Sequence, residues 1–183
     1  MPQDLFYSVF ETTAGWVGVL GSPAGLVCTT LPQPSQREVD SLLGDSVSRA
    51  TPSSRHFEGL TERFRAYFFG NRVDFPDELD LSGATPFQRS VWQAARLIPY
   101  GQTRSYAWLA GQVGSPGAAR AVGQALGRNP LPIIIPCHRV LASNGGLGGF
   151  SWGLEMKNFL LWLESYAKYQ LDTNLMSMMM HIR

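Results

Sequence analysis

The sequence predicts a mixed α/β (α+β) protein in two parts, a small antiparallel sheet with helices followed by a helical domain. Three observations carry that expectation. Residues 5–31 are short β-branched and aromatic runs broken by turn residues. Phe57, Leu60, Phe64 and Phe68 then recur at helical spacing. Third, a helical pair around a tight glycine-proline turn occupies 105–129. The stretch "NRVDFPDELDLSGA", residues 71–84, is polar, acidic and proline-interrupted. It suggests an N-terminal domain over 1–80, a second domain over 81–168 and a tail over 169–183, sizes that fit a chain of 183 residues.

In order, "LFYSVFETT", "WVGVLG" and "LVCTTL" read as strands separated by Ala14-Gly15 and "SPAG". After a Pro/Ser/Gln stretch, "QREVDSLL" is a short helix, and "SRHFEGLTERFRAYFFG" a stronger one with Gly70 at its C-cap. Thr85-Pro86-Phe87-Gln88 is a capping box with proline at the first helical position, opening "FQRSVWQAARLI". Ile133-Ile134-Ile135 looks like a buried strand ending at Pro136, and "LEMKNFLLWLESY" is helical. The tail "LDTNLMSMMMHIR" is methionine-rich without caps, a frayed terminus or a small packing helix.

Composition excludes several classes. With 44% hydrophobic and 16% charged residues the chain has enough apolar content for a core and too little charge for disorder. A formal net charge of +1 gives no overall field for nucleic acid, so any such role needs local basic clustering. Cys28 and Cys137 are too few for a disulfide scaffold, and no spacing suggests a zinc site, so no metal is expected. The first residues lack a signal-peptide pattern, and no apolar run approaches the roughly 18 residues of a membrane span. A reducing, intracellular compartment fits best.

In "SYAWLAGQVGSPGAARAVGQALGRN", Tyr106, Leu109, Ala110 and Val113 form one apolar stripe. On the second helix Ala121, Val122, Ala125 and Leu126 lie on one side, and Arg120, Gln124 and Arg128 on another. Gly117, Ala118, Ala119 and Gly123 are small. Few long polar side chains are available to read base edges, but small residues admit close approach to a minor groove. An ordinary surface hairpin with solvated arginines explains the segment equally well.

"NPLPIIIPCHRVLASNGG", residues 129–146, sets a thiol beside an imidazole. In an extended chain neighbours point to opposite faces, so Cys137 and His138 would cooperate only through a water or a turn. An imidazole that removes the thiol proton makes the nucleophilic thiolate, and Glu164 is a candidate to orient it. Taken singly, Cys137 is a buried filler, His138 a satisfied core histidine, Glu164 a solvated charge and Asn129 a turn initiator.

Together, "TPFQRSVWQAARLIPYGQTRSYAWLA", "GAARAVGQALGRNPLPIIIPCHRV" and "LEMKNFLLWLE" resemble the O6-alkylguanine-DNA alkyltransferases in order and spacing. The resemblance covers roughly residues 84–166, and the β-rich first half matches only in character. It implies a ribonuclease-H-like N-terminal domain and a winged-helix-like DNA-binding second domain. The implied partner is double-stranded DNA bearing O6-alkylguanine, with O4-alkylthymine a second lesion, bound from the minor groove by a monomer. The implied reaction is a stoichiometric, irreversible alkyl transfer to Cys137 without a cofactor, in the cytoplasm of a prokaryote (the nucleus, were it eukaryotic); the absence of basic tails favours a prokaryote.

By that resemblance His138 acts through a water as the base, Glu164 orients it and Asn129 holds the turn around the site. Tyr106 donates its hydroxyl proton as the base leaves, and Arg120 fills the gap left by the flipped nucleotide. Ser151 contacts O6 through its backbone N–H, while Gln124, Arg128, Ala118 and Ala119 meet DNA. Two departures stand out: Phe150 where many members have tyrosine, and Trp152 where some have glycine. Trp152 is expected to narrow the pocket against large alkyl groups. Nor does the first domain carry, beyond Cys28 and His56, the Cys/His set with which some members hold zinc. The rival readings are a lesion sensor that transfers nothing, a transcription regulator and a multiple-turnover cysteine hydrolase. Related non-enzymatic binders have another residue at the cysteine position, so Cys137 favours the enzyme.

Overall fold

The computed structural model describes residues 4–165. Strand β1 (Leu5–Thr12) turns into β2 (Gly15–Ser22), which turns into β3 (Gly25–Thr29), all antiparallel. Gly25 is needed at its turn: its φ is +141°, and a Cβ there would sit 2.5 Å from the Glu78 carbonyl oxygen. Helix α1 (Gln36–Leu43) starts where the Ser35 side chain accepts from the Glu38 N–H, and its Val39 and Leu43 lie over Gly18. Helix α3 (Glu58–Phe68) follows a 3₁₀ turn and buries Leu60, Phe64, Tyr67 and Phe68 against the sheet, with Phe57 just before it. Gly70, at φ +95°, stands just past its end, where the Asn71 N–H donates to the Ala66 carbonyl.

In the sheet half two short elements escaped the sequence reading. Helix α2 (Asp45–Ser48) buries nothing, and β4 (Ala50–Pro52) pairs parallel to β1 at the edge of the order β3-β2-β1-β4. A three-residue edge strand containing proline carries no alternation to detect.

The polar stretch 71–84 is tied to both halves. The Leu26 N–H donates to Glu78 and the Asp80 N–H to Leu26, each at 2.8 Å, while Arg96 Nη2 donates to the carbonyls of Phe75 and Asp77. Arg63 pairs with Asp77. Phe75 packs on Phe64 and Tyr67, so the apolar core runs without a break from the sheet into the helical half.

That half begins with α4 (Pro86–Arg96), whose capping box is formed in full. Helices α5 (Tyr106–Gln112) and α6 (Ala119–Gly127) cross it as the expected helix-turn-helix, and Trp92 Nε1 donates to the Ala125 carbonyl at 2.9 Å. Strands β5 (Arg104–Ser105) and β6 (Val140–Leu141) form a minimal parallel ladder, and residues 154–165 form α7. Among the described residues no helix is long and apolar enough to cross a membrane. The tail lies outside them.

Two expectations are corrected. Ile133–Ile135 is not a strand but a tight turn, with Ile133 at φ +75°. Its isoleucines are buried from all sides, and a short apolar run cannot distinguish a buried turn from a buried strand. Ala121 is exposed, because α6 buries only Val122, Ala125 and Leu126.

Candidate active site

The site is built on Asn129, just beyond α6. Its Oδ1 accepts from the Leu131 N–H at 2.9 Å, and its Nδ2 donates to the Ile135 carbonyl at 2.8 Å and to Cys137 Sγ at 3.1 Å. One amide thus closes the turn and touches the thiol. The sheet supports the same turn from behind: Thr29 donates its N–H to the Pro130 carbonyl at 2.9 Å and its hydroxyl to that of Pro132 at 3.3 Å.

Cys137–Arg139 is a 3₁₀ turn rather than the end of a strand. Cys137 lines a cavity of about 450 Å³, with Tyr106, Arg120, Asn129, Phe150, Ser151 and Trp152 also on its walls. His138 and Arg139 are buried and meet Glu164 of α7. The cooperating pair therefore separates by a turn, not by strand alternation, and each side chain bonds elsewhere.

Glu164, 1% exposed, is the most heavily bonded group here. Its Oε1 accepts from His138 Nε2 at 2.7 Å, Tyr67 Oη at 2.8 Å and Arg139 Nη2 at 2.9 Å. Its Oε2 accepts from Arg139 Nε and the Gly101 N–H, both at 2.9 Å. Burial alone would raise its carboxyl, but the hydrogen bonds and charges of His138 and Arg139 hold it well below the usual carboxylate range. Bonded to a carboxylate, His138 Nε2 carries the proton, which leaves Nδ1 as the lone-pair nitrogen. Nδ1 is buried and has no hydrogen-bond partner among the described residues. Burial lowers the imidazole's pKa against the pull of Glu164, so His138 is a neutral acceptor at pH 7.

Burial raises the Cys137 thiol, while the Asn129 hydrogen bond and the Lys157 charge lower it. Lys157 is fully buried on α7, and its Nζ donates to the carbonyls of Val140 at 2.6 Å and Leu147 at 2.5 Å. The ammonium also lies near the rings of Tyr106 and Phe150. Burial brings its pKa down to about 8, with Cys137 opposing. Cys28 has no such setting: burial pushes its thiol up to about 11. Of the two cysteines, Cys137 alone has neighbours that favour its thiolate.

With this geometry in place, likeness to known proteins is decisive. The model of the 6-O-methylguanine DNA methyltransferase DNA-binding domain matches residues 86–166. A methylated-DNA–protein-cysteine methyltransferase of Mycolicibacterium paratuberculosis is 47% identical over 146 residues, covering 78% of this chain and 88% of that protein. The chain belongs to the methylated-DNA–protein-cysteine methyltransferases. A Methanosarcina acetivorans member is 40% identical over 160 residues, 87% of this chain and 98% of its own. The crystal structure of Mycobacterium tuberculosis OGT in complex with DNA superposes with a TM-score of 0.74 at 40% identity, covering 88% and 94%.

In this methyltransferase the expected residues fall into two groups. Cys137, Asn129, Tyr106, Arg120, Gln124, Ala119 and Ser151 share the cavity, backed by His138 and Glu164. Tyr106 donates to the Gly149 carbonyl at 3.2 Å, and Ser151 Oγ to that of Gly127 at 2.7 Å, which fastens the 148–152 loop to α5 and α6. Arg120 and Gln124 are exposed on α6. Ala118 is the N-cap of α6, outside the cavity lining, and exposed Arg128 borders a separate hollow with Asp80 and Pro130. Sequence reasoning missed Tyr67, Arg139, Lys157 and Thr29. Lys157 left a signal: it lies on the buried stripe of α7 with Leu160 and Glu164, where an unpaired-looking charge asks for a partner.

Removing the charge at Glu164 leaves the buried Arg139 guanidinium without its counter-ion. Glu164→Gln should therefore destabilise the protein by about 3–5 kcal/mol in urea unfolding at pH 7. A carboxyl with a depressed folded pKa contributes fully above its ordinary value of 4.5 and loses that contribution as pH falls toward the folded pKa. The gap between the two proteins should accordingly shrink below about pH 4.5.

Proposed function

We propose that this methyltransferase repairs DNA by moving the alkyl group of a flipped-out O6-alkylguanine onto Cys137, once per molecule. The observation that carries the reading is a thiol on the wall of a cavity bordered by the helix-turn-helix and backed by a neutral histidine on a buried carboxylate. The Sγ proton passes through a water to His138 Nδ1. The thiolate attacks the alkyl carbon, the S–C bond forms and the C–O6 bond breaks. The electron pair remains on the purine, where the Tyr106 hydroxyl supplies a proton. The thioether has no route back, so the protein is consumed.

The small residues of α6 suit a minor-groove approach, with Arg120 at the cavity edge to take the place of the extruded base. O4-alkylthymine would present a similar leaving group. We read the protein as a monomer on duplex DNA in a prokaryotic cytoplasm. A sensor that transfers nothing would have no use for Cys137 with His138 and Glu164.

Intact mass after incubation with methylated duplex tests this directly. One methyl group per chain, mapped to Cys137 and absent in Cys137→Ser, is expected; repeated turnover or labelling at Cys28 overturns the mechanism. Arg120→Ala should slow repair of duplex far more than reaction with free O6-methylguanine, since only the duplex needs extrusion. An equal loss on both would remove Arg120 from that role. Trp152 lines the cavity, so O6-benzylguanine should react poorly. Trp152→Gly should raise the benzyl-to-methyl rate ratio, and an unchanged ratio with a lower Tm would make the indole packing only.

A further inference from the structure

Tyr67 belongs to α3, in the N-terminal half, yet its hydroxyl ends at the centre of the site. It is fully buried and donates to Glu164 Oε1 at 2.8 Å, the oxygen that also accepts from His138 Nε2. The hydroxyl oxygen lies 3.4 Å from that same nitrogen. The ring is held edge-on by Phe68, Phe75 and Tyr100, so the hydroxyl has no freedom to point elsewhere.

We infer that Tyr67 is a positioning residue of the alkyl-transfer reaction, its hydroxyl sharing the Glu164 carboxylate with His138 so that His138 stays neutral and able to accept the thiol proton. This rests on the function proposed above. The physical reason is competition for one oxygen. A carboxylate oxygen that already accepts from a tyrosine and an arginine is a weaker attractor for an imidazolium than one that faces the histidine alone. Without the hydroxyl, more of the negative charge falls to His138, and the protonated ring becomes easier to form. A histidine already protonated cannot take the proton of Cys137.

The other charged and titratable groups around His138 do not do this work. Arg139 and Lys157 disfavour its protonation through their charges, but neither donates to the ring. Tyr100 packs against Tyr67 and under Arg139, its hydroxyl buried without a hydrogen-bond partner among the described residues. Cys137 is the proton's source. Among the described residues only Tyr67 and Arg139 compete with His138 for Oε1 through side-chain hydrogen bonds, and of these Tyr67 is the one that can lose its donor without changing the net charge.

Tyr67→Phe removes one oxygen and keeps the ring packing. The histidine ring protons should be titrated by NMR between pH 4 and 9 in the wild type and in this variant. We expect the His138 midpoint to rise by about half a unit or more. The acid limb of the rate of transfer from methylated duplex should move up with it. A midpoint that stays, falls, or is undetectable in both proteins overturns the proposal. Phe75→Leu loosens the same corner and leaves the hydroxyl, so it should lower Tm without moving the midpoint. An equal shift there would assign the effect to packing and equally overturn it. If the wild type transfers no alkyl group, the proposed function fails, while the NMR titration still decides what Tyr67 does to His138.

Discussion

The buried Glu164 carboxylate is the constraint on which the other parts of the site depend. A charge taken out of water is costly unless donors replace the lost hydration. Here the donors come from three places far apart in sequence: Tyr67 of α3, the Gly101 loop before β5, and the adjacent His138 and Arg139 beside the thiol. The carboxylate keeps its full set of donors only while all three places stay in register. Its stability and the geometry of the base are one requirement, met by the same contacts. This also explains why the core runs unbroken between the halves. A sheet domain that drifted would withdraw Tyr67 from Glu164 and Thr29 from the active-site turn.

Much of this was legible in the sequence, for identifiable reasons. Strands β1 to β3 and the capping box of α4 carry local signals, β-branched and aromatic runs bounded by turn residues and fixed-offset side chains, and both formed as expected. Cys137, His138 and Asn129 stand in one segment, so their relation survives any error in the fold. The turn at Ile133 was misread because burial from every side erases periodicity. The partners Tyr67 and Lys157 were missed for another reason. Each sits on an apolar helical stripe, where a tyrosine looks like packing, and the polar tip acts only against an element remote in sequence. No local pattern encodes that meeting.

The two cysteines show how much of the chemistry is environment. Both thiols are pushed up by burial, and nothing opposes that for Cys28. Cys137 has Asn129 Nδ2 at 3.1 Å and the Lys157 charge drawing it down again. For a protein consumed by its own reaction, that balance is a safeguard. A fully ionised, exposed thiol would be alkylated or oxidised by whatever small electrophile it met. Cys137 is instead 6% exposed, and it lines a cavity shaped by Tyr106, Phe150 and Trp152. On the proposed mechanism the groups that remove its proton, His138 and Glu164, are buried in the interior, and the electrophile enters by the cavity. On that mechanism reactivity is tied to occupancy of the cavity by a flat base with its leaving group against the thiol. Selectivity for the lesion then follows from where Cys137 is buried as much as from any hydrogen bond to the base.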